Sequence, residues 1–387
     1  MEKIGILTYH YSNNYGGVLQ SYALYKYLSK EGYNVEIIDF IPNNVKLNSI
    51  FYETGLRKNI FKIDFKDLNP ITLFKRINIK RKYNKKIIEK FNNFRETYCK
   101  LSRSVNENTI HTILNDYNTI IVGSDQVWSP GERRKKIYFL DFDNYNGRKI
   151  SYAADSTISE IDKKDIGTLS NSLRKFDAIS VRNKHTSDFV MQLINNKEIP
   201  IVVDPTLLIS FDEFKKSEIS SIIDKEKYIF MYVLGKELEG DNEKVINKIK
   251  KIYGNLKVYS VEIPTRKFNV KNFADKVFYD LGPIEWIDLI RNASFVYTDS
   301  FHGTIFSLKF NKPFLAYYSE YLRSTRFRDL KMRYGLEKFI VNSYKEIEDK
   351  RSLYNLPDFK YVDRIIDEHR KYSIEFLKKA LNSSITY

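Results

Sequence analysis

A lone imidazole lies between two apolar runs in YTDSFHGTIFSLKFNKPF, residues 297–314. The preceding ASFVYTD has the β-branched and aromatic content of a buried strand, and GTIFSLKF reads as a helix that gives way to a new strand at Pro313. His302 therefore falls at a strand-to-helix junction. In open α/β sheets ligands bind at that junction, where helix amides can hold an anion. An imidazole, with a reference pKa of about 6.5, exchanges protons near neutral pH. On the local pattern alone a helix cap or a core histidine fits equally well.

Other residue types are placed for chemistry at comparable junctions. GSDQVW sets Asp125, Gln126 and Trp128 just after a buried run. A carboxylate there can take a proton from a sugar hydroxyl and an indole can stack on a sugar face, while the plainer alternative is a capping aspartate with a core tryptophan. SVRN puts Arg182 behind the strand FDAISV, where its planar fork suits a carboxylate or phosphate unless it is simply exposed. SNNYGGVLQ places Gly16 and Gly17 before a helix, letting backbone amides approach an anion closely or making only a tight turn. It is neither GxGxxG nor a Walker loop, so no nucleotide is inferred. Downstream of His302, Lys312, Arg323, Arg326 and Arg328 offer cations for a doubly charged substrate, or merely a basic helix end. Arg323 and Arg326, three apart, share a helical face. The Asp204-Pro205 pair reads as a turn ending a strand.

The elements that must position these groups alternate. IGILTY is a strand, VLQSYALYKYLSKEG an amphipathic helix closed by Gly32, and YNVEIIDF a second strand, together one βαβ unit with a right-handed crossover. Strands follow at NTIIVG, KISYAAD, FDAISV and EIPIVVD. The pattern restarts with KYIFMYVLG, then NEKVINKIKKIYG as helix, LKVYSVEI as strand, PIEWIDLIRNA as helix and SFVYTD as strand. Two alternating runs predict an α/β protein with two parallel-sheet domains facing a cleft, at 1–212 and 213–350. A C-terminal helix in 351–387 packs back on the first domain.

With 387 residues the chain exceeds what one core usually serves. Its single cysteine, Cys99, excludes an intrachain disulfide and any multi-cysteine metal site. The N-terminal MEKIGILTYH lacks a signal-peptide core, and no apolar run approaches the length of a membrane span. A cytoplasmic protein is expected. The net charge of +15 is concentrated: residues 43–105 hold 16 Lys/Arg against 5 Asp/Glu. Apolar residues recur there at helical spacing, so a basic helical insert at about 43–106 is predicted, with its charges on a solvated face. Docking at the inner face of an anionic membrane is the alternative. Nucleic acid is disfavoured because no helix-turn-helix, zinc finger or RNP-like motif accompanies the charge.

In order, NYGGVLQSYAL, GSDQVW, SYAAD, SVRN, VVDPTLL and TDSFHGTIFSLKFNKPF resemble the polysaccharide pyruvyl transferase family, over about residues 5–328. The resemblance implies two Rossmann-like domains similar to glycosyltransferase-B enzymes. It also implies transfer of a pyruvyl group from phosphoenolpyruvate to a sugar as a cyclic ketal, with no cofactor beyond that donor. The acceptor sugar would be free, nucleotide-linked or lipid-linked. The histidine of the family's His-Gly element, thought to act as acid/base, maps to His302. Arg182, Lys312, Arg323 and Arg326 are candidates to grip the donor, and Asp125 to take the hydroxyl proton, with Gly16, Gly17 and Gln126 at the binding surface. Many members carry Arg two residues before this histidine; here it is Ser300, so another cation must hold the donor. A nucleotide-sugar glycosyltransferase and a sugar- or lipid-binding protein are the competing readings.

Overall fold

The computed structural model describes residues 2–43, 85–129, 137–142, 144–158, 163–195, 198–263, 273–319 and 321–382. Of the predicted basic insert, residues 44–84 lie outside the described residues.

The first half opens with β1 (Lys3–Leu7), α1 (Tyr15–Lys30) and β2 (Asn34–Ile37). After a helix α2 at residues 85–98 come β3 (Thr119–Val122), β4 (Arg148–Ala154), α3 (Lys163–Leu173), β5 (Ala178–Val181) and α4 (Lys184–Ile194). The strands form one parallel sheet in the order β2-β1-β3-β4-β5. They are short and almost wholly buried, as parallel strands covered by helices on both faces must be. The predicted strand EIPIVVD is reduced to an extended edge, bridged to β5 at Ile201.

The second half holds a helical turn α5 (Ser220–Ile223), then β6 (Tyr228–Tyr232), α6 (Asn242–Tyr253), β7 (Lys257–Val261), β8 (Lys276–Phe278) and α7 (Pro283–Asn292). It continues through β9 (Phe295–Thr298), α8 (Phe301–Lys309), β10 (Phe314–Tyr317), α9 (Tyr321–Tyr334), β11 (Ile340–Val341) and α10 (Tyr344–Asp349). This sheet is also parallel, in the order β11-β10-β9-β6-β7-β8. That order corresponds to the 3-2-1-4-5-6 winding of dinucleotide-binding sheets, while the first sheet has the 2-1-3-4-5 winding. Each winding reverses at one point, between β1 and β3 and between β6 and β9, and ligands bind outside the strand ends there.

The core has three parts. One lies on the outer face of the first sheet around Trp128 and Val181, and one on the outer face of the second around Val258 and Tyr297. The third runs without interruption from one half to the other through α1, α2, α7 and α8. Its centre is aromatic: Tyr15 stacks on Trp286 at 5.4 Å and 8°, beside Phe91 and Tyr232. Tyr15 also donates to the Leu281 carbonyl at 3.0 Å. Enclosure along most of its length explains why α1, rich in Tyr and Leu, lacks a polar face before its last turns.

The described end of the basic segment is engaged with the second half. Lys90 pairs with Glu285 and with Glu218 at 2.9 Å, and Lys86 with Asp280 at 3.3 Å. The C-terminal helix α11 (Phe359–Asn382) spans both halves: Asn311 donates to Asp363, Val203 N–H to Ser373, and Arg148 to the Leu381 carbonyl. Among the described residues no helix is long and apolar enough to cross a membrane.

Candidate functional site

The carboxyl ends of the two sheets meet, and the charged residues gathered there come from different strands. Asp125 follows β3, Asp155 follows β4, Arg182 follows β5 and Asp204 ends the extended edge strand. His302 and Ser300 follow β9 in the other half. Each group is positioned by local structure. Asp125 has φ 72°, a left-handed conformation that Asp tolerates better than most residues. In β4 a register shift between Ser151 and Ala154, with Ala153 at φ 50°, turns the strand end so that Asp155 enters the cluster. Thr8, Gln20 and Ser124 form a buried hydrogen-bonded set that ties β1, α1 and β3 together at their site ends.

Arg182 is the centre of the cluster. Its Nη1 donates to Asp204 at 2.9 Å and its Nη2 to Asp155 at 2.5 Å, with Asp125 Oδ1 at 3.5 Å. The guanidinium is 2% exposed and lies 4.5 Å from the centre of the Phe301 ring. Burial disfavours its charge, but Asp155, Asp204 and Asp125 together hold it more basic than a free arginine. Burial likewise opposes ionisation of Asp155, where Arg182 and then Arg326 prevail and its carboxyl titrates below the usual range. At Asp204 the same burial penalty is overcome by His302, Arg182 and Thr206, and the carboxyl is driven far down. The predicted anion-gripping fork of Arg182 is thus already filled by the protein's own carboxylates.

His302 sits in the first turn of α8, whose N-cap is Ser300: the Ser300 hydroxyl accepts from Gly303 N–H at 3.2 Å. Gly303 is required because a Cβ there would meet Thr298 Oγ1 at 2.5 Å. The adjoining Asp299 accepts from the amides of Leu234 and Gly235, fixing the loop after β6. The imidazole packs on Gly16 of α1, and its Nε2 points to Asp204 Oδ2 at 3.5 Å, beyond hydrogen-bond length. Among the described residues Nε2 has no hydrogen-bond partner.

Sequence-predicted residues divide accordingly. His302, Ser300, Gly16, Gly17, Asp125 and Arg182 are brought together. The Gly17 amide is held by the Asn14 cap at 3.2 Å, and Gly16 serves chiefly as room for the imidazole. Gln126 is half-buried next to Asp125. Arg326 joins from α9, its guanidinium 5.9 Å from the Phe301 ring. Lys312 does not join, because α8 runs away from the site and leaves it about 12 Å further along. The Arg323 side chain lies outside the described residues. Trp128 is no sugar platform: it is 1% exposed, stacks on Phe139 and donates to the Tyr138 carbonyl.

Sequence reasoning misses Asp155 and Asp204 as site residues. A signal is present, because GSD, AAD, VVD and YTD each place an aspartate at the end of a buried strand. It misses Arg333 as well, which pairs with Asp329 at 2.7 Å and donates to the Arg182 carbonyl at 3.0 Å, fastening α9 across the seam. Among the described residues no group of three His, Cys, Asp or Glu side chains is placed to hold a metal.

The sequence pattern of the polysaccharide pyruvyl transferase family matches residues 14–321, from the Asn14 cap past His302. The chain belongs to that family. Among curated proteins no relative matches this pyruvyl transferase family member. Its fold is shared with solved structures at low identity. Anabaena Alr3699/HepE in complex with UDP-glucose is similar at TM-score 0.54 and 10% identity, over 98% of this chain and 100% of that one. UDP-N-acetylglucosamine 2-epimerase from Rickettsia bellii gives 0.53 and 11%, over 98% and 96%. A mutant of S. aureus TarM, in complex with Fondaparinux, alpha-GlcNAc-glycerol and UDP, gives 0.51 and 10%, over 99% and 100%. These likenesses establish the glycosyltransferase-B-like, two-domain α/β fold of this pyruvyl transferase family member.

Proposed function

We propose that the protein transfers the pyruvyl group of phosphoenolpyruvate to two hydroxyls of a sugar in cell-surface polysaccharide synthesis, forming a cyclic ketal. The observation that carries this reading is the placement of His302. It lies within the span that matches the family and corresponds by resemblance to the histidine of the family's His-Gly element, and it stands at the seam between the halves with Asp204 behind it and Asp125 joined to Asp204 through Arg182.

The imidazolium of His302 delivers a proton to the methylene carbon C3 of phosphoenolpyruvate, making C2 electrophilic. A sugar hydroxyl adds to C2 and yields its proton to Asp125, the only member of the Arg182 carboxylate group that is partly exposed among the described residues. The C2–O bond to phosphate then breaks, and the second hydroxyl closes the ketal. Of the two hydroxyl protons released, one balances the proton now on the methyl group and the other leaves with phosphate. Arg326, facing Asp155 and Phe301, is the described cation best placed for the donor. Arg182 holds the carboxylates in position.

The test is phosphate release from phosphoenolpyruvate by the purified protein with nucleotide-linked and lipid-linked sugars, and mass spectrometry of the sugar. Phosphate release with the mass gain of a pyruvyl ketal is expected. Cleavage of a nucleotide sugar without phosphoenolpyruvate would overturn the reading in favour of glycosyl transfer.

A further inference from the structure

Asp204 is held from several sides at once. Its Oδ1 accepts from Thr206 N–H at 3.0 Å and from the Thr206 hydroxyl at 2.7 Å. Its Oδ2 accepts from Arg182 Nη1 at 2.9 Å, while the Ser124 hydroxyl, 3.4 Å away, directs its one proton to the Ala153 carbonyl at 2.8 Å. The side chain is 1% exposed. So constrained a carboxylate cannot turn away, and its remaining acceptor capacity on Oδ2 faces His302 Nε2 at 3.5 Å. An approach of about half an ångström completes a charge-assisted hydrogen bond. Gly16 packs on the face of the ring beside Nδ1, Cγ and Cε1, not along the in-plane direction in which Nδ1 exchanges a proton.

We propose that Asp204 is the positioning residue for His302: it accepts the Nε2–H, fixes the imidazole with that proton inward, and leaves Nδ1 to exchange protons with substrate. The role rests on the pyruvyl-transfer reading, to which it adds a condition. Asp204 belongs to the first half and His302 to the second, so the imidazole is oriented only while the halves are together. Through Arg182 the same carboxylate is linked to Asp125, so the proposed acid and base share one support.

The first readout needs no substrate. In the full-length protein labelled with ¹⁵N-histidine, the Nε2–H proton of His302, assigned by its loss in His302→Gln, is expected at low field and protected from exchange. It is expected to vanish in Asp204→Ala. The second readout is kinetic: Asp204→Ala lowers kcat on the order of 10- to 100-fold with KM for phosphoenolpyruvate within about twofold. Added to His302→Gln it lowers the rate no further. If Asp204→Ala fails to fold, Thr206→Val keeps the carboxylate but removes one of its anchors, and is expected to weaken the low-field signal. Absence of that signal in the wild type, its persistence in Asp204→Ala, or additive rate losses would overturn the assignment. If the signal behaves as expected while no sugar supports phosphate release, the positioning role stands and the pyruvyl reading fails.

Discussion

The imidazole of His302 lies directly on the bare Cα of Gly16, from the opposite half of the molecule: a Cβ added at Gly16 would stand 2.0 Å from Nδ1 and 2.4 Å from Cγ. Only hydrogen fits. Gly16→Ala is therefore expected to push the ring off its line to Asp204 and to lower kcat on the order of 100-fold, since a shift of about 1 Å at a reacting group has that effect. The nearest atoms belong to a side chain that can rotate, so folding is expected to survive. Thermal unfolding beside steady-state kinetics checks both halves of this expectation.

His302→Gln preserves bulk and hydrogen bonding but removes the exchangeable proton. Loss of general acid catalysis should lower kcat about 10²- to 10⁴-fold. Donor binding, followed by calorimetry with phosphoenolpyruvate, should change little. An equal loss of binding would mean that the imidazole grips the donor instead of protonating it.

Arg182→Met strips the counter-charge from two buried carboxylates. Breaking a buried pair by removal of one partner costs about 3–5 kcal/mol, because the remaining charge stays buried and uncompensated. The urea midpoint should fall accordingly. Arg182→Lys should recover only part of that loss, since one ammonium cannot reproduce the fork that reaches Asp155 and Asp204 together.

Acid should unfold the protein through the same cluster. Asp155 and Asp204 titrate below the usual carboxylate range when folded and near about 3.9 when unfolded. In acid the unfolded chain therefore binds more protons than the folded one. The stabilisation is complete above the unfolded value and is lost as pH falls through the folded ones. Denaturant midpoints measured downward from about pH 6 should drop steeply below about pH 4. Asp155→Asn should flatten that slope, at the cost of lower stability at neutral pH.

Much of the architecture is legible because parallel strands buried on both faces leave plain apolar runs, and because the strand between Ala293 and Asp299 ends in a residue pattern with one polar meaning. The two alternating runs and the position of His302 follow from that pattern. Less legible is anything set by contact between distant segments. Asp204 looks like half of an Asp-Pro turn, which it is, since it caps the following turn through Thr206; that its second oxygen faces an imidazole from the other half is a fact of docking. By side-chain type Arg182 reads as an anion gripper, whereas three strand-end aspartates, each harmless in isolation, converge to occupy it. Nearness in sequence groups Lys312 with His302, and helix direction separates them.

The uninterrupted aromatic core from Tyr15 to Trp286 bears on how such proteins can be recombined. Its members come from α1, α2 and α7, so the cut that seems natural between the two sheets divides a single packing unit. A chimera that takes the second half from a relative inherits Trp286 and Leu281 but not the Tyr15 and Phe91 shaped to receive them. Changes meant to alter what the site binds therefore belong in the loops at the strand ends, with both halves of the seam kept from one parent.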